Sequence, residues 1–327
     1  MSESAIETSQ KTSTKSLFFL GKGSAYFGIW IVNVVLTVFT LGLYYPWAVA
    51  SVRKYFWSQT ELENNRFVFH GTGKEIFKGF IVAYLIVIFI YGIQFYGNIS
   101  QNVTLTLIGS SLVFLALFFL VPIAIFGAIR YRLSRTSWRG IFFSFKGNLR
   151  DFINLYLINT LFTTITFGFY YPFMENNLRK YIFSHAKFGN LRFGFDGRGL
   201  EYFKIIFLGI FLTFITFGIY YPWYVKNIFN FHINYMFIVD ENGEKKYLKS
   251  TLSGGKTFGV LFTNLLLAVV TLGFGFAWVL IRNMKLFLNS IQMPEDIDFS
   301  TVFQEADDYK NATGDDLADV LDIGIDF

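Results

Sequence analysis

Of the 327 residues, 53% are apolar and 21% aromatic, and only 16% are charged, where a soluble domain carries about a quarter charged residues. This is a membrane composition, and the absence of cysteine excludes disulfides, thiolate metal sites and cysteine nucleophiles. Residues 1–294 hold 27 basic against 12 acidic side chains, while residues 295–327 hold eleven acids and the single Lys310; the bases flank apolar runs, a pattern of membrane topology rather than of nucleic-acid binding.

In chain order, residues 1–16 are polar and include Glu3 and Glu7, without the positive start or cleavage site of a signal peptide, so no segment is expected to be removed. Residues 23–52, 79–129, 152–174, 205–225 and 257–281 contain no Asp, Glu, Lys or Arg. A bilayer core takes roughly 20 residues of apolar helix, so four windows hold about one span each and the longest holds two. The expected fold is an all-α polytopic membrane protein with about six membrane-embedded helices from a duplicated unit, joined by connections carrying short β-hairpins.

The duplication is written in glycines. "LFFLG", "FVFHG", "FSFKG" and "FGFDG" end at Gly21, Gly71, Gly147 and Gly197, and a Y-Y-P element follows three of them, with its proline at Pro46, Pro172 and Pro222. The second copy, reaching Pro122, is longer by 26 residues and predicts one additional helix; a fifth, "TLGFGFAW" from Thr271, lacks the proline. The repeats divide the membrane domain, 17–294, at about 17–65, 66–142, 143–192, 193–247 and 248–294. It lies between the polar tail 1–16 and the acidic tail 295–327, which is expected to be mobile and to dock on the basic connections. Asn242-Gly243 and Gly189-Asn190 between alternating apolar residues predict hairpin turns, with weaker versions at "ELENNRFVF" and "SWRGIFFSF". Glu75, Asp151 and Glu201, four residues after their glycines, read as first-turn helix caps.

"TLGLYYPW", "TFGFYYPF" and "TFGIYYPW" place a glycine four residues before each proline, where the ring would meet a helix backbone. The motif therefore reads as a built-in helix break, its threonine bonding a freed carbonyl and its aromatics suiting an interfacial belt. A plain anchored kink is the simpler interpretation. The sharper one makes Thr40, Gly42, Tyr44, Pro46, Thr166, Gly168, Tyr170, Pro172, Thr216, Gly218, Tyr220 and Pro222 a candidate solute path. Every substantial connection is basic except the one around Gly97 to Thr104. Six plain spans would thus place basic connections outside, whereas helices that dip in and return at the motif would keep them inside.

His70, His185 and His232 are the only histidines and lack metal-site spacing, so neither a metal nor a cofactor is expected. "GKGSAYFG" and "GTGKEIFKG" lack Walker spacing, and no catalytic constellation emerges, so the protein is expected not to be an enzyme. Neutral polar residues within the windows, among them Asn33, Gln94, Asn159 and Asn264, either bond helix to helix or line a path. The stretch from Leu17 to Trp57, with the later F-x-F-x-G and T-F-G-x-Y-Y-P elements, resembles the YjgN-like family of bacterial inner-membrane proteins of unknown function over residues 17–294. That resemblance implies a multi-pass protein of the bacterial cytoplasmic membrane, and brings no activity or cofactor with it. Two functions stay open: a transporter or channel for a small neutral or zwitterionic solute, or a non-catalytic scaffold. The scaffold would engage membrane-protein partners or lipid headgroups through cytosolic hairpins and the acidic tail. The bilayer is the expected partner in either case, nucleic acid in neither.

Overall fold

The computed structural model describes residues 15–240 and 242–304. Five units follow one another, each a pair of helices rising from paired strands. The first comprises β1 (Leu17–Phe19), α1 (Gly23–Phe39) and α2 (Tyr45–Ser58); the second β2 (Thr60–Leu62), β3 (Asn65–Phe69), α3 (Gly73–Ile99) and α4 (Val103–Ser134). The third has β4 (Thr136–Trp138), β5 (Ile141–Phe145), α5 (Leu149–Ile165) and α6 (Tyr171–Ser184), and the fourth β6 (Ala186–Phe188), β7 (Leu191–Phe195), α7 (Gly199–Ile215) and α8 (Tyr221–Asn234). The fifth has β8 (Met236–Val239), β9 (Lys245–Tyr247), β10 (Lys249–Ser250), α9 (Gly254–Val270), α10 (Phe276–Leu288) and β11 (Ile291–Gln292).

The chain is therefore not all-α. The hairpins do not stay local: β1 to β9 form one antiparallel sheet in sequence order, because the last strand of each unit pairs with the first strand of the next. Across these boundaries Leu17 faces Leu62, Phe67 faces Trp138, Phe143 faces Phe188 and Phe193 faces Ile238. The first apolar residue of each F-x-F-x-G thus enters a shared core with its cross-strand partner. The second, on the same face by the two-residue period of a strand, packs against the helices, as Phe19 does on Phe56 of its own unit and Phe145 on Phe126 of the preceding one. The motif glycine lets that ring close in: a Cβ on Gly21, Gly71, Gly147 or Gly197 would lie 2.5–2.7 Å from the preceding phenylalanine.

Pairing returns to its start. β10 pairs with β11, Gln292 bridges Ser16 beside β1, and Met293 N donates to Lys15 O at 2.7 Å. Above, α1 packs on α10, with Phe27 and Trp278 rings 5.2 Å apart. Strands and helices form a closed ring of five units. Its strand-level interior is filled by Leu17, Trp138, Phe188 and Ile238 together with Ile297, Phe299 and Val302. Residues 295–304, which composition assigns to the acidic tail, are thus packed against the ring; the rest of that tail lies outside the described residues.

The helices come as five antiparallel hairpins among the described residues. Each short charge-free window lies within one pair of antiparallel arms, of 17 and 14 residues in units one, three and four and 17 and 13 in unit five. Because all nine strands share one sheet, every pair leaves from and returns to the same side. The 26 extra residues of the second unit add no further helix; they lengthen its two arms to 27 and 32 residues. Among the described residues, only these two helices are long and apolar enough to cross a membrane.

Candidate functional site at the hairpin tips

The repeated motif is the turn between two arms. After α1, Leu41 takes φ 49° and Gly42 φ 90°, while Gly42 N donates to Thr37 O at 2.8 Å and Leu41 N to Val38 O at 3.1 Å. These are the two bonds of a Schellman helix end. Thr40 clips the turn from the side, its Oγ1 donating to Leu36 O at 2.7 Å and accepting from Tyr44 N at 2.9 Å. Thr166 and Thr216 repeat the clip. So does Thr271 in the fifth copy, where the turn forms without proline. Pro46, Pro172 and Pro222 sit in the first turn of the returning helix, where a missing N–H leaves nothing unsatisfied. The turn bonds, rather than a clash between proline and glycine, end the first helix.

Tyr44, Tyr170 and Tyr220 stack on Trp47, Phe173 and Trp223. Those aromatics in turn cover the first glycine of the next unit's helix, Gly73, Gly199 and Gly254, and Trp278 covers Gly23 to close the ring. The described contacts of the motif residues thus run within a hairpin or to its neighbour. They do not gather the three copies around one path. The first copy lines a cleft of about 260 Å³, where Thr40, Leu43, Tyr44 and Trp47 meet Phe77.

What the four short tips share is exposed apolar surface. Leu41, Phe167, Phe217 and Leu272 are 82%, 94%, 98% and 88% exposed, and each holds a left-handed φ of 49–50° that disfavours a bulky L-residue. The long hairpin makes the same turn, with Asn102 N donating to Gly97 O at 2.9 Å and Gln101 at φ 53°. Its tip, however, reads Ser100-Gln101-Asn102.

Below the tips, buried amides tie the arms together. Asn33 Nδ2 donates to Ser51 Oγ at 2.8 Å, Asn177 Nδ2 to Asn159 Oδ1 at 2.9 Å, and Asn264 Nδ2 to Asn283 Oδ1 at 2.7 Å. The neutral polar residues of the windows therefore act as arm-to-arm bonds here. Glu75 completes a capping box with Thr72 and pairs with Arg135 at 3.0 Å. His70 meets Ser137 Oγ at 2.8 Å; burial, with the positive charges of Arg135 and Lys54, pushes its pKa below the ordinary histidine value. His185 Nδ1 lies 2.7 Å from Tyr181 O, and His232 lies 3.6 Å from Glu175.

One feature was not legible beforehand. At the base of the fourth hairpin, Glu201, Lys204 and Ile205 of α7 and Asn227, Asn230, Phe231 and Asn234 of α8, with Tyr235, line a cavity of about 510 Å³. Glu201 reads in sequence as a cap. The available signal was the spacing of three asparagines at 227, 230 and 234, which places them on one helical face.

The chain matches the family described as bacterial protein of unknown function (DUF898) over residues 14–198 and 227–320. It is 30% identical over 141 residues to the inner membrane protein YjgN of Salmonella typhimurium, covering 43% of this chain and 34% of that protein. To the inner membrane protein YjgN of Escherichia coli K12 it is 35% identical over 130 residues, 40% of this chain and 31% of the relative. The matched part spans about a third of the length of these relatives. No solved structure matches.

Proposed function

Since the chain belongs to the bacterial family of unknown function DUF898, with relatives named as inner membrane proteins, we propose that it is a non-catalytic organiser of the cytoplasmic leaflet. Four short hairpins dip into that leaflet and return, and the α3–α4 hairpin alone crosses. The observation that carries this is the chemistry of the tips. Five hairpins make one kind of turn, yet the four short ones end in Leu or Phe and the long one in Ser100-Gln101-Asn102.

Lengths agree. At 1.5 Å per residue α3 is about 40 Å long, enough for a hydrocarbon core of about 30 Å, whereas α1 is about 25 Å. On the returning arms, charge reappears early, at Arg53, Glu175, Lys226 and Arg282, about 6–12 Å from the start of each helix. That depth corresponds to roughly one leaflet. Along α4 the first charge is Arg130, about 40 Å from the tip. With the returning ends in the cytosol, the basic connections obey the positive-inside rule.

The scaffold reading is preferred to a solute path because the motif copies occupy separate tips and side chains fill the ring interior at strand level. Wedges confined to one leaflet expand it. Purified protein reconstituted into vesicles is therefore expected to reduce vesicle diameter with rising protein-to-lipid ratio, as seen by electron microscopy, without raising solute flux. Unchanged diameter together with flux of a small neutral or zwitterionic solute would reverse the preference.

A further inference from the structure

We infer that the cavity at the base of the α7–α8 hairpin binds the headgroup of a zwitterionic aminophospholipid, its phosphate on Lys204 and its primary ammonium on Glu201. This deepens the leaflet reading, since it rests on the hairpin bases lying at headgroup level. The cavity, about 510 Å³, offers one carboxylate and one ammonium a single helical turn apart, where side chains are neighbours. Lys204 is exposed and has no ion pair among the described residues, leaving its three N–H donors for a phosphate. Glu201 accepts from the Tyr235 hydroxyl, with Arg198 at 3.9 Å, and retains lone pairs for an ammonium. Across the cavity, Asn234 Oδ1 accepts from Ser250 N at 2.8 Å, leaving its amide N–H groups for a phosphate or glycerol oxygen.

Two features select a lipid of this class. On the face of α7 that carries Lys204, residues three, four, seven and eleven further on are Phe207, Leu208, Phe211 and Ile215, all half-exposed. The polar cavity thus opens onto an apolar stripe running toward the tip, which suits acyl chains. A purely anionic headgroup would set its charge against Glu201, and a trimethylammonium has no N–H to give that carboxylate. The corresponding positions of the first unit are Ala25, Gly28, Ser51 and Lys54, so neither Glu201 nor Lys204 has a counterpart there and a lysine stands in the place of Asn230.

The test uses the full chain purified in detergent, incubated with equimolar phosphatidylethanolamine, phosphatidylcholine and phosphatidylglycerol, and the retained lipid weighed by mass spectrometry. Phosphatidylethanolamine is expected to be enriched about tenfold over phosphatidylcholine, the effect of roughly one charge-assisted hydrogen bond. E201Q abolishes the enrichment and K204Q lowers retention of both lipids, whereas K54Q changes neither. E201Q leaves Tyr235 an acceptor, and its thermal midpoint is read alongside to show the fold is intact. Equal retention of the two lipids by the unaltered protein, or full enrichment in a folded E201Q, overturns the assignment. Glycerophosphoethanolamine competing as strongly as the lipid overturns the lipid and leaves a soluble headgroup site. Because the assay is read in detergent, it does not depend on hairpin depth, which cysteine labelling decides separately.

Discussion

Replacing Gly218 with alanine tests what ends the first arm of a hairpin. Gly42, Gly168 and Gly218 all sit at φ 90–91°, and a Cβ built on any of them meets nothing within 4 Å. Bulk is thus irrelevant at these positions, and the cost of adding a side chain is conformational. An L-residue held in left-handed backbone loses about 1–2 kcal/mol. Alanine and leucine are accordingly expected to cost about the same. The three sites lie on separate tips without shared partners, so their effects add, and G42A/G168A/G218A should lose about 3–6 kcal/mol in all. Gly28 is the control, because it too has open space but lies inside α1 at an ordinary φ. G28A should gain about 0.5–1 kcal/mol from helix propensity. Thermal unfolding of the purified variants in detergent reads the differences. A G218A protein indistinguishable from the original beside an unfolded G218L would refute the backbone account and restore the steric one.

Single cysteines at Ser58, Ser100, Ser184 and Ser250 face no background thiol, so a membrane-impermeant reagent applied to intact cells should label Ser100→Cys alone; external labelling at position 58 or 184 would restore alternating spans. Charging a dipping tip with F217D should disfavour insertion by about 2.5–3.5 kcal/mol on translocon scales, whereas Q101D should be neutral, as read from protein yield in the membrane fraction. The buried Asn33–Ser51 bond should give a coupling of about 0.5–1.5 kcal/mol in an N33A/S51A double-mutant cycle, and no coupling would mean the two amide and hydroxyl groups are satisfied independently. His70 has a depressed folded-state pKa, so the unfolded chain takes up its proton first: the associated stability is complete above about pH 6.5 and declines as the pH falls toward the folded value. H70N should flatten that acid limb of the unfolding midpoint, and an unchanged limb would assign it to other groups.

The sequence displayed the period, the hairpin turns and the caps, because each depends on residues close together. Gly189-Asn190 and Asn242-Gly243 fall between β6 and β7 and between β8 and β9, and Thr72 with Glu75 makes the expected box. It did not display the ring. Pairing of Phe67 with Trp138 and contact of Phe27 with Trp278 are non-local, and an alternating pattern names a strand without naming its neighbour. Apolar content also cannot separate a helix that crosses from two arms that return, since both need lipid-compatible side chains. On the leaflet reading proposed above, the basic connections and the tip composition carry that distinction. The threonine, read correctly as a carbonyl partner, was placed in a kink because its second bond, from Tyr44 N, depends on the turn geometry.

On the leaflet reading proposed above, the distribution of the motif among the copies follows from where each turn lies. Backbone groups at a helix end find water if the end is in water, and must be satisfied internally if it is in hydrocarbon. In the short hairpins, Thr40, Thr166, Thr216 and Thr271 each occupy both a carbonyl of the departing arm and an N–H of the returning one, while the glycine N–H closes back on the helix. Four tips, with or without proline, retain this arrangement. In the second copy the motif position is Pro122, now inside α4, and the turn has moved to Ser100-Gln101-Asn102. Ser100 Oγ still reaches Tyr96 O at 2.8 Å, but Asn102 caps α4 through Leu105 N at 3.2 Å, and exposed side-chain amides replace leucine and phenylalanine. The degeneration of "LVPIAIFG" is then not a lost function. On the same leaflet reading, lengthening the arms carries that turn out of the hydrocarbon and removes the requirement that it be sealed.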